Sequence, residues 1–122
     1  MAGQIVHFEI PAGDTGRSRE FWSSLFGWQF QSVEGPVEYH MTQLSDQQGG
    51  GVYPAEGEER GLRVYFDVDD IKAGAARVAE LGGVAGDPDP VPGMGWYAVC
   101  KDTEGNEFRI WQSDPEAPAP QQ

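Results

Sequence analysis

VHFEIPAGDTGRSREFWSSLFGW, Val6 to Trp28, sets out a plan that the second half of the chain repeats. Ile5, His7 and Glu9 alternate with Val6, Phe8 and Ile10, a period of two that predicts a strand with both faces committed. Pro11 is expected to end the strand, and Gly13, Asp14 and Gly16 to turn the chain. Phe21, Trp22, Leu25 and Phe26 then recur at helical spacing and are expected in the core, with Asp14 or Thr15 as N-cap and Gly27 as the stop.

Working outward, Trp28–Val33 and Val37–Leu44 read as strands separated by Gly35-Pro36, and Gly49–Tyr53 as a fourth strand weakened by three glycines. Pro54–Gly61 is a charged linker. Leu62–Val68 repeats the alternation of the first strand, with Arg63, Tyr65 and Asp67 on one face and Val64, Phe66 and Val68 on the other. Asp69 or Asp70 caps a second helix, whose apolar stripe is Ile71, Ala75, Val78 and Leu81 and whose end is Gly82-Gly83. Val84–Gly86 is a short strand at most. DPDPVPGMG, residues 87–95, reads as a loop too long and too constrained by proline for a simple hairpin turn, either a lid over a site or only a surface loop. Trp96–Lys101 and Glu107–Gln112 are strands joined by DTEGN, and residues 113–122 are expected to be a disordered tail.

The two halves keep one register. His7 to Asp14 and Arg63 to Asp70 are both seven residues, and His7 to Gly27 and Arg63 to Gly83 are both twenty. Each half is strand, helix and three strands, so the expected fold is α+β. Two βαβββ modules, residues 4–54 and 61–112, would form one curved mixed sheet around an open cup, with the helices outside.

The chain has 122 residues, enough for a single domain spanning 1–112 with a real core. Twenty acidic against eight basic residues give a formal charge of −12, which argues against nucleic acid or an anionic membrane surface as partner. The N-terminus has no basic and apolar signal pattern and no run is long enough to span a bilayer, so the expected location is cytoplasmic. Cys100 is the only cysteine, which excludes an intrachain disulfide, and is expected to be buried and structural. His40 is expected at the surface. Gly49–Gly51 lacks the helix and lysine of a nucleotide loop, no loop carries the alternating carboxylates of a calcium site, and no serine, histidine and acid can be assembled from spacing.

His7 opening the first strand, REFWSSLFGW ending the first helix, FDVDDI before the second helix and DTEGNEFRIWQ at the end together resemble the vicinal oxygen chelate superfamily, the glyoxalase, bleomycin-resistance and extradiol-dioxygenase group. The resemblance covers residues 4–112. It implies a cup that in many members holds a divalent metal through side chains of the first, fourth, fifth and eighth strands, and it implies a homodimer, with Trp28, Trp96 or Trp111 as interface aromatics. Carried over residue by residue, the ligand positions fall on His7, on GGGVY without a donor, on Arg63 and on Arg109. Guanidinium has no lone pair to give a metal. The expectation is therefore no cofactor, with a divalent metal kept as the alternative if other donors are recruited.

Three uses of the cup remain. The first is a metal-independent site for a small anionic or aromatic molecule, with Arg63 and Arg109 gripping an anion, Tyr65, Trp111 and Tyr97 as walls, Glu9 on the same face, and His7 as a catalytic acid or base. The second is a metal-dependent lyase, isomerase or dioxygenase. The third is a non-catalytic binding module whose arginines simply pair with Glu9, Asp67 or Glu107.

Overall fold

The computed structural model describes residues 2–119. The chain forms two compact units, one spanning Val6–Val64 and the other formed by the residues on either side of it.

In the first unit, β1 (Ile5–Ala12) leads to α1 (Thr15–Phe26), and the chain returns through β2 (Gln31–Ser32), β3 (His40–Gln43) and β4 (Gly49–Pro54). The order is β2-β3-β4-β1, with β2 to β3 and β3 to β4 antiparallel and β4 to β1 parallel. Asp14 caps α1, its carboxylate accepting the Arg17 N–H at 3.0 Å, and Gly27 closes it at φ 74° in the left-handed region that favours glycine. Contrary to expectation, Pro11 does not end β1, which runs on to Ala12. The Ala12 carbonyl accepts the Ala55 N–H on the β4 side, so alternation turns the position of Pro11 away from β4, where a missing N–H breaks no bond of that ladder.

The core of this unit is Ile10, Ala12 and Val52, covered by Phe8, Trp22, Trp28 and Phe30. Of the four helical residues expected inside, only Trp22 packs there; Phe21, Leu25 and Phe26 are 59%, 56% and 57% exposed. Trp28 explains the difference. Its indole stacks on Trp22 with ring centroids 5.3 Å apart and takes the space beneath the helix that more helical side chains would have filled.

In the second unit, β5 (Arg63–Asp67) and α2 (Ile71–Glu80) are followed by β6 (Val84–Ala85), β7 (Asp89–Val91), β8 (Gly95–Lys101) and β9 (Glu107–Ser113). The order is β5-β9-β8-β6, with β5 parallel to β9 and β7 pairing β8 as well. Asp70 caps α2 through the N–H groups of Lys72 and Ala73. Ile71, Ala98, Cys100 and Ile110 are the core, with Val68, Ala75, Val78, Ala85, Trp96 and Phe108 against it. Cys100 is buried as expected, and burial raises its thiol pKa.

Three readings of this half are corrected. Residues 87–95 do make a hairpin turn, because Asp89–Val91 pairs with Gly95–Tyr97 and the Met94 N–H returns to the Val91 carbonyl at 3.0 Å. Pro92 and Gly93, at φ 72°, have the order that a tight turn of this kind prefers. The disordered tail does not begin at residue 113, since Ser113 ends β9, Asp114 accepts the Trp96 indole N–H and Ala117 is buried with its carbonyl on the Gly93 N–H; residues 120–122 lie outside the described residues. The module boundaries also shift. Gly3 and Gln4 bond Asp67 and so belong to the second unit, while Pro54–Gly61 folds onto the first unit instead of tethering the two. No helix among the described residues is long and apolar enough to cross a membrane.

Burial predicts different costs for two aliphatic truncations. Ile110→Ala, which empties a 4% exposed core position, should cost about 2–5 kcal/mol in urea denaturation. Leu25→Ala should cost under about 1 kcal/mol. Equal losses would place Leu25 in the core after all.

Candidate functional site

In the Val6–Val64 unit, alternation along β1 sends Phe8 and Ile10 toward α1 and leaves His7 and Glu9 on the opposite face. Their parallel partners on β4 are Gly49 and Gly51. Tyr39, immediately before β3, reaches across this bare strand. A Cβ built on Gly51 would lie 2.1 Å from its Cζ and 2.2 Å from its hydroxyl, so the phenol fills the place of a β4 side chain. The Tyr39 hydroxyl is 2.7 Å from His7 Nε2 and donates to Glu9 Oε2 at 3.0 Å. The structure thus joins two residues singled out in the sequence, His7 and Glu9, through a third that was not.

Burial lowers the pKa of His7 below 6.5, and the negative charge of Glu9 opposes the shift without overcoming it. The imidazole is therefore neutral at neutral pH, the state of a general base. Tyr39 stacks at 6.5 Å on Tyr53, whose hydroxyl donates to Glu59 Oε2 at 2.6 Å. Arg63 lies 3.6 Å from the same carboxylate oxygen and donates to the carbonyls of Arg60 and Gly61. Glu59, which the sequence reading did not consider, is thus one ion-pair partner of Arg63.

The other face of this unit holds a line that spacing did not show. His40, expected at the surface, is 6% exposed because alternation along β3 turns it inward, opposite Val52. Its Nδ1 is 2.9 Å from Ser32 Oγ and its Nε2 is 2.7 Å from Glu38 Oε2, which also accepts the Thr15 hydroxyl at the start of α1. Serine, histidine and acid therefore do meet. Hydrogen bonds from Thr15 and His40 hold the Glu38 pKa below the usual carboxylate value. The line fastens the 33–39 segment, which carries Tyr39, to α1.

In the second unit, Tyr65 on β5 stands opposite Arg109 on β9, and Tyr97 on β8 opposite Trp111. The Arg109 guanidinium carbon lies 5.5 Å from the Tyr65 ring centroid, and Nη2 is 3.6 Å from Glu107 Oε2, the last of the partners anticipated. Tyr97 meets Tyr65 edge to face at 6.4 Å, and the Trp111 indole N–H donates to Ser113. A Cβ on Gly95 would lie 2.6 Å from the Trp111 ring, so this strand too is bare where an aromatic crosses it. The result is an aromatic face around the Arg109 guanidinium.

The donors do not suit a divalent metal. His7 Nε2 is hydrogen-bonded to Tyr39, the facing β4 positions are glycines filled by a phenol ring, and Arg63 and Arg109 have no lone pairs. Two surface clefts, of about 500 and 440 Å³, are lined by Gly27, Trp28, Thr42 and neighbours and by Asp69, Ile71, Trp96 and neighbours, and no predicted site residue lines either.

The lowered His7 pKa fixes a sign for stability. An unfolded chain binds the proton near pH 6.5 and the folded one only below that, so folding stability should fall as pH drops through 6.5. Urea denaturation between pH 8 and 5 should show a steeper loss for the native protein than for His7→Asn; parallel curves would mean that His7 is not buried. The lowered carboxyls of Asp14, Glu38 and Asp102 act at lower pH and cancel in the comparison.

The glyoxalase-like domain profile matches residues 6–111. A glyoxylase-like domain-containing protein of Didymella fabae is 34% identical over 90% of this chain and 94% of its own length. A Mycobacterium bovis protein named as a glyoxylase, CFP32, is 30% identical over 98% of this chain, which spans about half of it, 46%. Among solved structures, a methylmalonyl-CoA epimerase in complex with methylmalonyl-CoA superimposes with a TM-score of 0.75 over 98% of this chain and all of its own, at 15% identity, and so shares the fold.

Proposed function

The chain belongs to the glyoxalase-like domain family, within the vicinal oxygen chelate superfamily, and we propose that it is a metal-independent member that binds a small planar organic anion. The observation that supports this reading is the face of Tyr65, Tyr97 and Trp111 around the Arg109 guanidinium. Flat apolar rings hold a conjugated body at little entropic cost, and a guanidinium grips carboxylate in a fork. A ligand carboxylate would replace Glu107, whose 3.6 Å approach is longer than a charge-assisted hydrogen bond. In the other unit, neutral His7 is the acid–base group of any proton transfer.

The test uses 2-naphthoate and its neutral isostere 2-naphthamide, followed by tryptophan fluorescence. The acid should bind at least about tenfold more tightly than the amide, a difference of about 1.4 kcal/mol. Arg109→Gln should abolish that preference, and EDTA should leave it unchanged. Equal affinity for acid and amide would reject the anion site, and loss of binding in EDTA would return the metal-dependent reading.

A second copy of this chain is the partner we propose for the exposed Phe21, Leu25 and Phe26 face of α1. The support is that patch together with the length of the mycobacterial relative, about twice the span matched. Light scattering should give about twice 13.3 kDa for the native protein and 13.3 kDa for Phe21→Ser/Leu25→Ser; a native mass of 13.3 kDa would refute the dimer.

A further inference from the structure

We propose that Tyr39 is a positioning residue for His7, holding the imidazole through Nε2 and joining it to Glu9 as a proton relay, an inference that rests on His7 being the acid–base group. The hydrogen-bond order carries it. With the Tyr39 hydroxyl donating to Glu9 Oε2 at 3.0 Å, its oxygen is left to accept from His7 Nε2, 2.7 Å away, and on that ground we assign the imidazole the Nε2–H tautomer. The line therefore has one direction, from imidazole N–H to phenol to carboxylate.

When the ring takes up a proton elsewhere, the Nε2 proton can pass to the Tyr39 oxygen while the Tyr39 proton passes to Glu9. The phenol ends as it began, His7 returns to neutral and Glu9 becomes the carboxylic acid. The step needs no other reactant and leaves total charge unchanged. It also answers a cost of the site. Burial disfavours imidazolium, and the relay moves the positive charge off the ring by neutralising a carboxylate already beside it.

Three features fix Tyr39 in this place. Its ring lies flat over Gly51, where a Cβ would collide with it, and stacks on Tyr53. Its carbonyl accepts the Val33 N–H at 2.9 Å. The adjacent Glu38 and His40 tie the same segment to Thr15 and Ser32.

The relay is read without a substrate, by nitrogen-15 NMR of the full chain. In the native protein the His7 Nε2–H should give a sharp signal protected from solvent exchange. Tyr39→Phe, which keeps the ring and removes only the hydroxyl, should lose that signal. Gly51→Ala should lose it too, because the new methyl must displace the phenol while the strand itself tolerates alanine. His40, the other histidine, serves as the internal control and should be unchanged in Tyr39→Phe. A protected signal that survives Tyr39→Phe, or a His7 ring that carries its proton on Nδ1 in the native protein, would overturn the relay. Either result leaves the naphthoate experiment untouched, so failure of the relay and failure of the ligand site are separable.

Discussion

Three consecutive glycines leave β4 without side chains where it lies beside β1, and two aromatic rings take the space on its two faces. A Cβ on Gly50 would sit 2.2 Å from the Phe8 ring on the side toward the core, and one on Gly51 would sit 2.1 Å from Tyr39 on the other. Any larger residue at either position forces a ring to move. What looks like a weakened strand is a slot two rings wide, and its weakness in β propensity is offset by pairing on both sides, with β1 and β3.

That slot determines the chemistry available to the first unit. A fourth-strand side chain able to bind a metal would have to occupy the space that the Tyr39 phenol holds. With the phenol there, His7 Nε2 and Glu9 Oε2 both hydrogen-bond to the Tyr39 hydroxyl. The second unit repeats the device, with Trp111 lying over Gly95 and Arg109 two residues before it on β9.

Period and punctuation carried most of the fold. The alternation of β1 and β5, the caps Asp14 and Asp70 and the stop at Gly27 are local signals, and the structure places them as the sequence suggests. What was not legible depends on long-range packing. Helical spacing marks Phe21, Leu25 and Phe26 as a stripe with Trp22 but cannot tell that Trp28 will fill the space beneath them. The prolines of residues 87–95 hid a strand, because an outlying strand tolerates proline where a central one does not. Tyr39 and Ser32 escaped notice for the same reason: nothing within a few residues of either shows that it will meet a histidine 32 or 8 positions away. The glycine run was the one available signal, since a bare strand beside a histidine asks what covers it.

Net charge and local charge lead to opposite conclusions here, and distance decides between them. A chain of −12 repels an extended polyanion, whose many phosphates sample the whole surface potential. A small anion in contact with Arg109 is governed by groups within a few ångströms, because exposed charges are screened over about 8 Å at physiological ionic strength. Glu107 is one of those groups, 3.6 Å from the guanidinium that lies over Tyr65. Specificity would then come from exchange. Under the proposed anion site, a ligand would have to offer Arg109 a better carboxylate than Glu107 does and lay a flat body against Tyr65, Tyr97 and Trp111, a requirement that simple inorganic anions would meet only in its first half.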